Sequence, residues 1–204
     1  MKLSIKKSAP AIAIALGFAI TTAAQDITPV EKNEAVRYLE ETRNALVAAV
    51  SGLSDAQWKF KSAPDRWSIA EVLEHLAVLE DMFANNISAQ LAQAPPGKPD
   101  TDFKKVDGII LAKVPDRSTK AQAPEVLVPT GRWTPQASLE RFIACRRDTT
   151  TFLTSASNLR AHVLAHPALG PLDAYEWILA VAAHTKRHTK QILEVKADAG
   201  FPTN

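Results

Sequence analysis

Cysteine is almost missing. Cys145 is the single one in 204 residues, so no internal disulfide forms, and it is not placed for lipid attachment. One thiol suits an oxidising or a reducing compartment equally. Glycine is scarce, at 7 residues, and aromatics make up only 6%. There is no internal repeat and no low-complexity tract. A composition 46% hydrophobic and 23% charged excludes a disordered, collagen-like or disulfide-scaffold chain. Few glycines beside many alanines, leucines and glutamates favour helices, and the 13 prolines mark their ends. The length predicts one domain.

A long apolar run is missing too. Residues 9–20 form an apolar stretch of 12, short of the about 20 that span a bilayer. Lys2, Lys6 and Lys7 precede it, and the small residues Thr22, Ala23 and Ala24 follow. This three-part pattern predicts a secretory signal peptide over residues 1–24, leaving residues 25–204 as an exported domain, periplasmic or extracellular. Without that segment the formal charge of +2 disappears, because 21 basic and 22 acidic residues remain. A nucleic-acid binder keeps a clustered basic footprint. None is visible, so no nucleic-acid partner is expected, nor stable membrane insertion after cleavage.

Four stretches carry helical periodicity. Residues 28–51 open on Thr28, Pro29 and Glu31, a capping hydroxyl, a first-turn proline and an acid. Val36, Leu39, Leu46, Val50 and Leu53 follow as a stripe, and Gly52 is a terminator. Residues 68–92 open on the Ser68 and Glu71 capping box, with Val72, Leu76, Leu79 and Phe83 as stripe. Residues 63–67 form a turn that brings Trp67 to this helix start. A third helix near 135–157 begins at Thr134 and Pro135 and buries Leu139, Phe142, Ile143 and Phe152. Breakers at 165–171 precede a last helix over about 172–197, with Trp177, Ile178, Val181, Ile192 and Val195 inward and Gly200 beyond its end. Residues 94–133 hold six of the prolines and no sustained period; residues 126–128 read as a short strand. The fold expected is all-α, a four-helix bundle with a long connection between its second and third helices. A connection of about 40 residues is too long for a plain bundle loop and is functional or holds short elements of its own.

The chain has five histidines: His75, His162, His166, His184 and His188. His184 and His188 stand four apart on one helix. At about 100° per residue they share a face, close enough for two imidazoles to meet on one ion. His75 lies beside the apolar stripe of the second helix, where its ring nitrogens need partners. His162 and His166 have the same spacing, but Pro167 disfavours helix at His166, and neither is expected to be a ligand. Trp67 and Trp177 read as core aromatics, Glu71 as a cap, Cys145 as a small buried residue. Gln191 and Arg187 lie near the last-helix histidines, where Gln191 faces solvent or a water on the metal.

The stretch Trp67-Ser68-Ile69-Ala70-Glu71-Val72-Leu73-Glu74-His75-Leu76 resembles the second-helix motif of the DinB/YfiT-like superfamily. His166-Pro167-Ala168-Leu169-Gly170-Pro171, Glu176-Trp177 and His184-Thr185-Lys186-Arg187-His188-Thr189-Lys190-Gln191-Ile192 are similar to its last-helix signature. The resemblance spans nearly all of residues 28–197. It implies a four-helix bundle with a three-histidine metal site at His75, His184 and His188. It also implies a homodimer, since bundles of this family often pair. Residues 94–133 are longer than in a minimal member.

Three imidazoles leave a metal with open positions, the mark of a catalytic rather than a structural site. Imidazole suits zinc, nickel, copper or iron; the ion expected is divalent and zinc first, with nickel or iron as the others. Zinc brings the pKa of bound water near 7, and a metal also lowers that of a thiol. The function expected is a metal-dependent enzyme of hydrolase or thiol-transferase type acting on a small molecule. Export weighs against a cytosolic thiol and so towards hydrolysis. The alternative is a non-catalytic metal or small-ligand binding protein of the cell envelope, which would place residues 94–133 far from the histidines. Neutral histidine alone binds metal, so occupancy is expected to fall below about pH 6.5.

Overall fold

Each long helix starts where a side chain satisfies its first free N–H groups. The computed structural model describes residues 26–98, 100–120 and 122–203; residues 1–24, expected from the sequence to be a signal peptide, lie outside them. In α1 (Pro29–Val50) and α3 (Ile69–Met82), Thr28 and Ser68 form reciprocal capping boxes with Glu31 and Glu71. Asp173 and Glu176 do the same for α7 (Ala174–Lys196), and Thr134 caps α6 (Pro135–Ser155). A short helix, α2 (Asp55–Lys59), precedes α3. Gly52, at φ +70°, turns the chain after α1, in a left-handed conformation that glycine adopts without penalty.

The four long helices form the bundle. α1 packs on α7, α7 on α3, α3 on α6 and α6 on α1. Two apolar clusters fill it. One holds Leu39, Phe83, Leu153 and Ile178, the other Leu46, Leu73, Leu76, Phe142 and Ile192. Between them in sequence on all four helices lies a polar knot around Arg146, whose side chain is 1% exposed. Its guanidinium pairs with Glu80 of α3 and donates to the Leu39 carbonyl (2.9 Å), Thr42 Oγ1 (2.8 Å) and Thr185 Oγ1 (2.7 Å). One side chain thereby ties all four helices. Among the described residues no helix is long and apolar enough to cross a membrane.

The expected second helix runs further than α3. It passes through a π turn (Phe83–Ile87) into α4 (Ser88–Leu91). The long connection is ordered by its neighbours. It holds α5 (Phe103–Lys113), which packs on α7. Ile110 alone is fully buried there, which is why no stripe announces this helix. Residues 126–128 are not a strand. Glu125–Leu127 is a 3-10 turn that follows Pro124; Val126 and Val128 stay 61% and 38% exposed while Leu127 is buried. The breakers at 165–171 form the tip of an antiparallel hairpin, β1 (Val163–His166) with β2 (Gly170–Asp173), register His166↔Gly170. Neither strand alternates between buried and exposed residues, so no period of two marks them in the sequence.

Candidate metal centre

The α3–α7 seam brings His75, His184 and His188 together. One nitrogen from each lies within 4.8 Å of the other two, and among the described residues this is the one such His, Cys, Asp or Glu group. His75 comes from the second turn of α3. His184 and His188 come from successive turns of α7, so helical spacing alone aligns them. The Nε2 atoms of His75 and His184 are 3.4 Å apart, across 109 residues of sequence, and those of His188 and His184 are 3.2 Å apart.

The outer nitrogens decide the tautomers. His75 Nδ1 donates to the Leu127 carbonyl at 2.8 Å. His188 Nδ1 donates to Gln191 Oε1 at 2.8 Å, and Arg117 Nη1 donates to the same oxygen at 3.3 Å. Two donors on that atom identify it as the amide oxygen. With its proton on Nδ1, each of these neutral rings turns a bare Nε2 towards His184. A neutral His184 can offer a proton to one of them only. Three imidazole acceptors gathered around one point are the donor set of a cation. Ligand distances of about 2.0–2.1 Å in a tetrahedral shell place neighbouring nitrogens about 3.3–3.4 Å apart, close to both distances seen. The residues fit a divalent ion.

Burial keeps the rings neutral. His75 is 2% and His188 8% exposed. Loss of water lowers the His75 pKa, against a smaller upward pull from Leu127. Desolvation, then the neighbouring His75, pushes His188 down to about 3. His184 falls well below its ordinary value through burial, then through His188 and His75. Its Nδ1 is buried without a hydrogen-bond partner among the described residues.

The family that matches this chain is described as the DinB superfamily, over residues 38–192. The chain belongs to the DinB superfamily. Among curated relatives, the uncharacterized protein YuaE of Bacillus subtilis (strain 168) is 29% identical over 160 residues, covering 76% of this chain and 91% of YuaE. Among solved structures, YfiT from Bacillus subtilis is 17% identical with a TM-score of 0.55, over 86% of this chain and 91% of that one. It is described as "a probable metal-dependent hydrolase with an unusual four-helix bundle topology". TT2238, described as a four-helix bundle protein, is 19% identical with a TM-score of 0.51, over 80% and 98%. These two likenesses establish the fold.

Within this DinB bundle the other sequence expectations sort clearly. Cys145 and Trp177 are buried. Glu71 caps α3 and pairs with Lys61 at 2.7 Å. His162 donates to the Ala94 carbonyl, and His166 Nδ1 accepts from the N–H groups of Ala168 and Leu169; neither joins the cluster. Trp67 does more than fill core. Its ring lies 5.0 Å from that of His75 and 6.5 Å from that of His188, nearly parallel to the latter. Gln191 turns inward to His188, a role its i+3 spacing could have announced. Arg187 donates to the carbonyls of Asp116 and Thr119, fastening the long connection to α7. The Leu127 carbonyl went unread because a main-chain oxygen carries no residue signature.

Proposed function

We propose that this protein binds a divalent metal, zinc first, through His75, His184 and His188, and acts as a metal-dependent hydrolase on a small molecule. The observation that carries the reading is the meeting of three imidazole nitrogens, two of whose rings are held from outside by Leu127 and Gln191. When bound, such an ion keeps positions open for a ligand, acts as a Lewis acid and lowers the pKa of water or a thiol. The chain's own groups do the rest. Leu127 and Gln191 hold their rings in the ligating tautomer, Trp67 walls the His75 and His188 side, and burial keeps protons off the imidazoles at neutral pH. The description of YfiT supports hydrolysis. Thiol transfer is the second reaction this donor set serves, and the same assay panel separates them.

The non-catalytic alternative placed the long connection away from the histidines. Here Leu127 and Arg117, both within it, reach His75 and Gln191 directly, which supports an enzyme. We also propose that residues 1–24 direct export, and that the mature chain forms a homodimer and engages no nucleic acid.

Elemental analysis of protein purified without a polyhistidine tag tests the site. About one zinc, nickel or iron per chain is expected, and none in His184→Ala. Metal-loaded protein is then set against ester, phosphoester and thiol-conjugation panels beside His188→Ala. Equal rates for the two proteins would remove the catalytic reading.

A further inference from the structure

Leu127 has no means of its own to stay beside His75. It ends a three-residue 3-10 turn, the one regular element among the described residues between α5 and α6, 52 residues from the ring it meets. Its side chain, among Val78 and Leu79, gives adhesion but no register. Register comes from Glu74, the residue before His75. Glu74 is 3% exposed in a helix that is buried on every side from Val72 to Glu80. Its Oε1 accepts from Thr130 N at 2.8 Å, from Arg132 Nε at 3.2 Å and, at 3.5 Å, from Thr130 Oγ1; its Oε2 accepts from Gly131 N at 2.9 Å. Two successive N–H groups, those of Thr130 and Gly131, face one carboxylate, a backbone arrangement suited to an anion, and Gly131, at φ +73°, turns the chain just after them towards Arg132. The grip is mutual. The connection covers the carboxylate and supplies its donors, and the carboxylate fixes the connection three residues beyond Leu127.

We propose that Glu74 is a positioning residue of the metal centre. Its hold on residues 130–132 seats the Leu127 carbonyl on His75 Nδ1 and so presents His75 Nε2 to the ion. This rests on the reading of His75 as a ligand. The residue acts through the main chain of a distant segment rather than by touching the ring.

Glu74→Gln tests it in the full chain. The amide keeps the shape but sets an NH2 group against one of the two N–H donors. Zinc affinity is expected to fall about 10–100-fold, the range for lost outer hydrogen bonds at metal sites. In 15N-histidine NMR the protected His75 Nδ1–H signal is expected to vanish into solvent exchange. A purely structural role would not single out that proton. Wild-type affinity with the signal intact overturns the proposal, and so does weaker binding with the signal intact. If zinc binds neither protein, the metal reading itself has failed, and the Nδ1–H signal alone decides whether Glu74 seats His75: loss supports it, persistence overturns it. Should Glu74→Gln fail to fold, Gly131→Ala strains the positive φ without touching α3, and the same two measurements decide in the same way.

Discussion

His188 is held at both ends of its ring, by Gln191 outside and by the cluster inside, and each end has a separate consequence. Gln191→Leu removes the acceptor on Nδ1 and frees the other tautomer; zinc affinity is expected to drop about 10–100-fold, measured by competition with a chromophoric chelator. Losing His188 itself should exceed that range. Acid acts through the same residue. Its pKa is held at about 3 in the folded protein by burial, whereas an unfolded histidine titrates near 6.5. The unfolded chain therefore binds the proton first, and stability present above pH 6.5 is lost as pH falls from 6.5 towards 3. For this ring the slope is about 1.4 kcal/mol per pH unit. Asp173 and Glu176 oppose it, since burial raises their pKa values to about 6 and about 7. The difference between wild type and His188→Gln isolates the ring. Thermal unfolding of the metal-free proteins at pH 7 and pH 5 should cost the wild type more, and an equal loss would refute buried neutral imidazole. Proton competition for the metal should set in well below the pH 6.5 expected from free histidine, because burial lowers the pKa of all three rings. The three histidines were legible from the four-residue spacing and the family-like motifs, each a property of side chains. Leu127 was not, because every residue has the same carbonyl and only the fold says which one arrives.

Helix starts were readable for a parallel reason. Thr28, Ser68 and Thr134 satisfy N–H groups three positions on, so the signal and its effect sit within one turn. α5 and the β1–β2 hairpin escaped because each is stabilised from outside, α5 by packing on α7 and β1 by bonds such as Val163 N to the Pro95 carbonyl at 2.9 Å. Arg146 is an element-level feature that no local pattern foretells: a charged residue on the inward face of α6, matched by Glu80 from α3. Removing one partner leaves a buried charge alone. Arg146→Leu is expected to destabilise the bundle by about 3–5 kcal/mol, read from urea unfolding. The double change Arg146→Leu with Glu80→Leu should recover much of that loss, since a well-packed apolar pair is often neutral in place of a buried ion pair. Ser68→Ala, which removes only a cap, should cost about 1 kcal/mol.

At the scale of the whole molecule, the bundle and its long second-to-third connection follow from the sequence, while that connection's route across the α3–α7 seam does not. Its fastenings, Arg187 to the carbonyls of Asp116 and Thr119 and Glu74 to residues 130–131, join positions more than 50 residues apart. No periodicity links such distant positions. The proposed pairing of copies is checked by light scattering of the mature chain, where a mass near twice that of one subunit is expected. The proposed export is checked by N-terminal sequencing from cell fractions. The separation of His75 from His184 has a last consequence. With its lone thiol, this chain cannot staple itself covalently. An ion shared by those two rings would cinch a loop of about a hundred residues, a constraint on the unfolded chain that loop-closure entropy puts at about 4–5 kcal/mol. Such a clasp, unlike a disulfide, comes undone without a redox partner: scavenging the ion from outside would loosen the whole barrel of helices, and returning it would tighten them again.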